Sequence, residues 1–126
     1  MLSKRVAKAF EQFAPLQLAG SWDNVGLLIE SPMERPESKT IFLTIDLTSK
    51  VLEEALQDPS IGVIVSYHPP LFNSFKRLTM ANEKERIALV CAAKGISIFS
   101  PHTALDSCIG GINDWLVFHI FCCLIN

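Results

Sequence analysis

Asp46, His68, His102 and Asp106 are the residues whose types and places in the chain suit metal binding or proton transfer. Neutral imidazole and carboxylate together suit zinc, iron, manganese or nickel, whereas an all-oxygen set would point to calcium or magnesium. Asp46 follows the run 40–45 (TIFLTI), His68 follows 62–67 (GVIVSY), and His102 with Asp106 follows 96–99 (ISIF). Each run reads as a β-strand, and in an open parallel sheet the ligand crevice lies beyond the carboxyl ends of the strands. Successive strand ends therefore deliver ionisable side chains to one edge. Pro69 biases His68 toward an extended backbone and limits the freedom of its ring. Each residue also has a plainer reading: His68 as a loop hydrogen-bonding group, Asp46 as a helix cap, Asp106 as a turn or cap residue before Gly110 and Gly111.

The elements that must position these groups alternate between two periods. Leu2, Val6, Phe10 and Phe13 have helical spacing and open the chain. Trp22, Asp23 and Asn24 read as a polar turn entering a short strand over 25–29. After the 40–45 strand, Thr48 can cap a helix whose buried stripe is Val51, Leu52, Ala55 and Leu56, stopped by Pro59. Asn82 and Glu85 have the capping-box spacing for a helix with Ile87, Val90 and Cys91 on one face and Gly95 at its end. Strand, helix, strand, helix, strand implies parallel β-α-β units, so the expected class is α/β, a parallel or mixed sheet flanked by helices. Near-continuous apolar strands imply cover on both faces. Loops are expected over 31–39 and 73–81, although Phe72, Phe75 and Leu78 would also fit a short helix.

Composition narrows the function. The 126 residues suffice for one ordinary domain or a piece of a larger one. With 49% hydrophobic against 19% charged residues, disorder is excluded as the general state. A formal net charge of -2 with no basic run argues against nucleic acid. Cys91, Cys108, Cys122 and Cys123 match neither a paired CxxC zinc site nor a secreted disulfide framework, which favours a reduced, intracellular chain. The N-terminus imitates a short transit peptide, but Glu11 and the helical spacing favour a first helix of the domain. Dinucleotide, P-loop and GxSxG fingerprints are absent, and Cys91 reads as a packing residue.

The motifs SWDNVGLLIE, FLTIDLT, SYHPPLF, SPHTALD and GGINDWL, in this order, resemble the Nif-three-like family, also labelled GTP cyclohydrolase type-two homologues, in its eukaryotic YHPP branch. The resemblance implies a fold of two similar lobes, of which residues 1–116 are the N-terminal one. It further implies homo-oligomers, toroidal hexamers in many members, and two divalent metals in a cleft. In that family a His-His pair, the Asp of HTxxD and a distant HxxxE bind the metals. By position His68 matches the second His of the pair and Asp106 the Asp. His102 then lies beside the ligands, Tyr67 stands where the first His would be, and Asp46 is near the cleft by analogy. The implied activity is metal-dependent hydrolysis. The competing readings are a metal-binding regulatory protein with a transcription-related partner, and an inactive fragment. The corresponding compartment is cytoplasmic, nuclear or mitochondrial.

The end of the chain departs from this pattern. The family continues through a second lobe carrying HxxxE, whereas this sequence stops at Asn126. Residues 117–126 (VFHIFCCLIN) are almost uncharged and too short to span a bilayer. They are expected to be an abnormal end, from alternative splicing, a retained intron or a gene-model error. As an exposed tail they would invite aggregation or membrane contact. His119 lacks the Glu four residues later that would make it a ligand.

Overall fold

A computed structural model describes residues 1–125. In chain order the elements are α1 (Leu2–Phe13), a 3-10 turn (Leu16–Leu18), β1 (Gly26–Ile29), β2 (Thr40–Thr44), α2 (Ser49–Gln57), β3 (Ile61–Ser66), α3 (Glu83–Ala93), β4 (Ser97–Ser100), α4 (His102–Ser107) and α5 (Ile112–Ile125). Every residue of β3 and β4 is buried, as uninterrupted apolar runs require. These two strands form the centre of a four-stranded sheet ordered β1-β4-β3-β2. β2 pairs parallel to β3, with Phe42 opposite Ile64, and β3 pairs parallel to β4, with Ile64 opposite Ile98. β1 runs antiparallel to β4, with Gly26 opposite Ser100. The fold is therefore mixed α/β.

Side chains alternate between the two faces of the sheet. Val63, Val65 and Phe99 face α1, where Val6 is buried among them and the Phe10 ring stacks on Phe99 with centroids 4.6 Å apart. Ile64, Ile61, Ile96 and Ile98 face the other layer, where α2 contributes Leu52 and Ala55 and α3 contributes Ile87 and Cys91. Burial pushes the Cys91 thiol up to about 12, so it packs as a small apolar group.

Both helix starts follow local chemistry. Thr48 accepts from the Val51 amide at 3.3 Å through its hydroxyl, and Asn82 accepts from the amides of Lys84 and Glu85. The capping box at Asn82 is only half formed. Glu85 turns away and accepts from the amide and hydroxyl of Thr79, both at 2.8 Å, so it braces the preceding loop instead. Phe72, Phe75 and Leu78 lie in that loop, which has no helix. The 31–39 connection is also irregular but tied down. Ser31 is buried with its hydroxyl within hydrogen-bond reach of the Met33 and Ala92 carbonyls, while Arg35 donates to the carbonyls of Lys94, Asp58 and Ile61.

The expectation of a sheet covered on both faces fails at β2. Phe42 packs into the core, but Leu43 is 72% exposed and Ile45 just after the strand is 62% exposed. With Phe10, Phe13, Leu105 and Ile112 they line an apolar groove of about 290 Å³. From its end α5 leads away, about 21 Å long. Trp115, Leu116, Val117, Phe118, Ile120 and Phe121 are all exposed on it, so the segment over 117–125 continues a helix that is apolar all round. None of the described helices is long and apolar enough to cross a membrane.

Candidate functional site

The parallel pairing of β2, β3 and β4 brings their carboxyl ends to one rim. The β2–β3 ladder runs past both strands: the Tyr67 amide donates to the Thr44 carbonyl at 2.9 Å and the His68 amide to that of Ile45 at 3.0 Å. Two buried serines lock the same dipeptide, Ser66 donating to the His68 carbonyl and Ser100 to the Tyr67 carbonyl. Tyr67 and His68 are thus held by main chain on both sides before their side chains make any contact.

The expected residues assemble as carboxylate pairs. His68 Nδ1 lies 2.8 Å from Asp46 Oδ1. The Tyr67 hydroxyl donates to Asp106 Oδ1 at 2.5 Å. The rings of Tyr67, His68 and His102 pack edge to face or tilted, with His68 and His102 centroids 5.5 Å apart and Tyr67 and His102 5.6 Å apart. Asp46 therefore orients an imidazole and does not cap α2, a task taken by Thr48. Asp106 sits inside α4 and not in a turn. Burial, the bond to Asp106 and the negative charge of Asp106 push the Tyr67 hydroxyl up to about 12, so at neutral pH it is a fixed proton donor.

A residue that reads in sequence only as part of a polar turn stands at the centre of this rim. The Asp23 side chain is 0% exposed. Its Oδ1 lies 2.8 Å from His102 Nδ1 and accepts from the Asn24 amide at 2.8 Å. Its Oδ2 accepts from the Thr103 amide at 3.2 Å and from the Thr103 hydroxyl. Burial alone would raise this carboxyl, but the bonds from Thr103, His102 and the Asn24 and Thr103 amides outweigh it and hold it below its ordinary value. An ionised carboxylate only accepts, so His102 Nδ1 carries a proton, and in the tautomer this selects Nε2 carries the lone pair. His102 has a left-handed backbone, φ 31°, uncommon outside glycine. No sequence signal short of the fold pairs Asp23 with His102, because only the antiparallel packing of β1 on β4 brings 23–24 to the start of α4.

The same logic applies to His68. With Nδ1 donating to Asp46, Nε2 presents its lone pair, the arrangement found for metal-binding histidines whose other nitrogen is held by a carboxylate. Asp106 offers a carboxylate oriented by a phenol. This donor chemistry fits a borderline divalent ion, but the number of donors does not complete a site: among the described residues no group of three or more His, Cys, Asp or Glu is placed to hold one. A cleft of about 300 Å³ opens beside Asp46 and His68, walled by Pro69, Pro70, Glu83 and Lys84. The Ser49 amide at the start of α2, together with the Ser49 hydroxyl, holds the Glu83 carboxyl below its ordinary value, so Glu83 is an anion in that wall.

The molecule is thus a mixed α/β protein with an imidazole–carboxylate rim at the carboxyl ends of its parallel strands. The chain belongs to the Duf34/NIF3 (NGG1p interacting factor 3) family, whose model matches residues 1–121. It is 45% identical over 115 residues to the protein NIF3 homolog of Schizosaccharomyces pombe, a match covering 91% of this chain and 41% of that protein. It is 50% identical over 111 residues to NIF3-like protein 1 of Drosophila melanogaster, covering 88% and 37%. The NGG1-interacting factor 3 of Saccharomyces cerevisiae is 40% identical over 121 residues, covering 90% and 42%. The chain spans less than half the length of these relatives. Among solved structures, a Bacillus cereus protein related to NIF3 superposes with TM-score 0.77 at 30% identity, covering 89% of this chain and 30% of that one. Reduced HcgD from Methanocaldococcus jannaschii shares the fold, with TM-score 0.74 at 24% identity over 90% of this chain and 44% of its own.

Proposed function

We propose that the rim is part of a divalent-metal site of a metal-dependent hydrolase, to which this chain contributes His68 and Asp106. The observation that carries the reading is the pairing of His68 Nδ1 with Asp46 Oδ1 at 2.8 Å, which, with the proton on Nδ1, leaves the Nε2 lone pair for an ion. When bound, the ion supplies Lewis acidity for hydrolysis. The chain's own residues do the rest. Asp46 orients His68. Tyr67 orients Asp106 through a proton that stays on the phenol. His102, turned by Asp23, presents Nε2 as the atom that takes up or returns a proton. With two donors, this chain binds an ion weakly, because open positions fill with water.

Metal content after incubation with Zn²⁺ or Mn²⁺, measured by mass spectrometry, tests the site. With the metal kept in excess so that weak binding is populated, the unmodified chain carries it, while His68→Ala and Asp106→Asn carry at least about tenfold less; equal content in all three proteins rejects the assignment. Loss of nucleotide hydrolysis in the full-length S. pombe relative carrying the aligned substitutions would tie the site to turnover.

A second reading rests on a different observation. The S. cerevisiae relative is named for interaction with NGG1, and this chain exposes an apolar groove and an apolar helix. A protein partner in transcription, or a second copy as in a homo-oligomer, would cover that face. Full-length relatives that bind metal without turning over nucleotide would favour it.

A further inference from the structure

The two edges of the sheet differ. At β1, the register on β4 breaks between Leu27 and Ile29, the kind of irregularity that keeps an edge from recruiting another strand. At β2 the unmatched residue belongs to the neighbour: Thr40 lies opposite Ile61 and Ile41 opposite Val63, which leaves out Gly62 of β3, so β2 itself runs regularly. Its sequence, TIFLT, has no charge and no proline. The Thr40 amide donates to the Ser60 carbonyl and the Thr44 carbonyl accepts from the Tyr67 amide, so these residues turn their main chain toward the β3 side. Main-chain direction alternates along a strand, which leaves the N–H and C=O of Ile41 and Leu43 on the open edge. Both side chains are exposed, Ile41 by 41%. An unpaired, uncharged, apolar edge is a template for one more strand.

We propose that two copies of the chain pair antiparallel through β2, with Phe42 of each on the twofold axis, to form one continuous sheet. The pairing rests on the reading that a second copy covers the apolar side of the molecule, and it names the strand that joins them. Self-complementarity carries it. With Phe42 on the axis, Ile41 of one copy stands opposite Leu43 of the other, and each such pair exchanges both of its main-chain hydrogen bonds. Thr40 then stands opposite Thr44, and apolar and Thr–Thr pairs are both favourable across strands. Centring the pair on Ile41 or Leu43 would instead set Phe42 against a threonine and leave part of the five-residue strand unpaired. Ile41 and Leu43 register with Val63 and Val65, on the side of the apolar groove, so pairing carries that groove across the axis. Each copy has one such edge, so the twofold contact closes on itself and does not propagate. A single short strand gives an interface at the small end of specific contacts, and the dimer is therefore reversible.

Self-association is measured by sedimentation from about 10 to about 500 μM on the chain carrying Phe118→Glu and Phe121→Glu, which removes association through α5. Dimer at the upper end of the range and monomer at the lower end are expected. Over the same range, amide hydrogen exchange read by NMR slows at least about tenfold at Ile41 and Leu43, the donors that edge pairing uses. Leu43→Lys puts like charges beside the axis, and Leu43→Pro removes a donor whose loss an edge strand tolerates. Each lowers the association constant at least about tenfold while the native circular dichroism spectrum is kept. Should one variant fail to fold, the other decides, together with the exchange measurement, which needs no change in β2. Monomer throughout in the doubly substituted chain, with dimer in the unmodified one, sinks edge pairing and leaves α5 to join the copies. Monomer throughout in both sinks edge pairing and the second-copy reading together. Dimer whose Ile41 and Leu43 amides exchange as fast as in the monomer, or that survives both Leu43 substitutions, sinks edge pairing while a second copy still covers the face.

Discussion

The rim at the strand ends and the apolar surface of β2 and α5 lie in one small domain, yet they are built on opposite terms. At the rim, the Asp23 side chain is covered and bonded by Asn24, His102 and Thr103, Asp46 holds His68, and Asp106 accepts the hydrogen bond of the Tyr67 hydroxyl. Polar groups there satisfy one another inside the chain, so the geometry persists without a ligand. On the other face, Leu43, Ile45 and the α5 side chains Phe118 and Phe121 stand in water with no polar atom to fix them. Apolar surface has no direction and is satisfied by whatever covers it. A polar cluster specifies a geometry, whereas an apolar face specifies only that it be covered.

The largest expected effect breaks the polar side of this contrast. Asp23→Ala leaves the amides of Asn24 and Thr103, the Thr103 hydroxyl and His102 Nδ1 without their buried acceptor. A loss of about 2–4 kcal/mol in urea unfolding is expected, since bonds to a charged group are each worth about 1.5–3 kcal/mol and solvent recovers part of it. Asp23→Asn keeps an acceptor and should cost less. A change below about 0.5 kcal/mol for Asp23→Ala would show that the rim does not depend on this carboxylate.

Acid sharpens the same point. The folded Asp23 carboxyl titrates below its ordinary value of 3.8, so the folded state binds fewer protons than the unfolded one around that pH. Its contribution is fully present above about pH 4 to 5 and is lost as pH falls through the folded value. Stability measured from pH 6 down to pH 3 should decline less steeply in Asp23→Asn than in the unmodified chain. Parallel curves would remove Asp23 from the acid response.

On the apolar face a smaller change in stability but a clear change in association is expected. Leu43→Thr, at a position 72% exposed, should shift unfolding by no more than about 0.5 kcal/mol. Phe118→Glu combined with Phe121→Glu should lower self-association in sedimentation, because it puts charge into a surface that contains none between Trp115 and Cys123. Unaltered association would show that α5 is not what joins copies.

The sequence made one side of this contrast easier to read than the other. β3 and β4 are legible because runs such as IGVIVS bury every residue, and Thr48 and Asn82 are legible because capping is local chemistry. The strand-end positions of Asp46, His68 and His102 follow from the same runs. TIFLTI looks no different from GVIVSY, yet β2 is an edge strand with one open face, and edge position is a property of the sheet and not of the run. Asp23 was invisible for a similar reason: its partner His102 lies 79 positions away, and nothing in SWDNVG indicates that the turn folds back beneath α4. Glu85 had the right spacing for a reciprocal cap but found closer donors at Thr79. Local rules find elements and caps, while long-range pairing decides which polar residue is buried.

The smallest effect tests the packed layer between the two regions. Cys91 is fully buried on α3 beside Ile64 and Ile98, and burial holds its thiol up at about 12. A thiol that stays protonated and out of reach does not alkylate, since the thiolate is the nucleophile. Iodoacetamide at pH 8 should therefore leave Cys91 unmodified in the native chain and label it once urea unfolds the sheet, as read by peptide mass spectrometry. Labelling of Cys91 in the native state at the rate seen in urea would mean that the α3 layer opens readily. A layer that loose could not hold β3 and β4 in the register that carries His68 and His102 to the same rim.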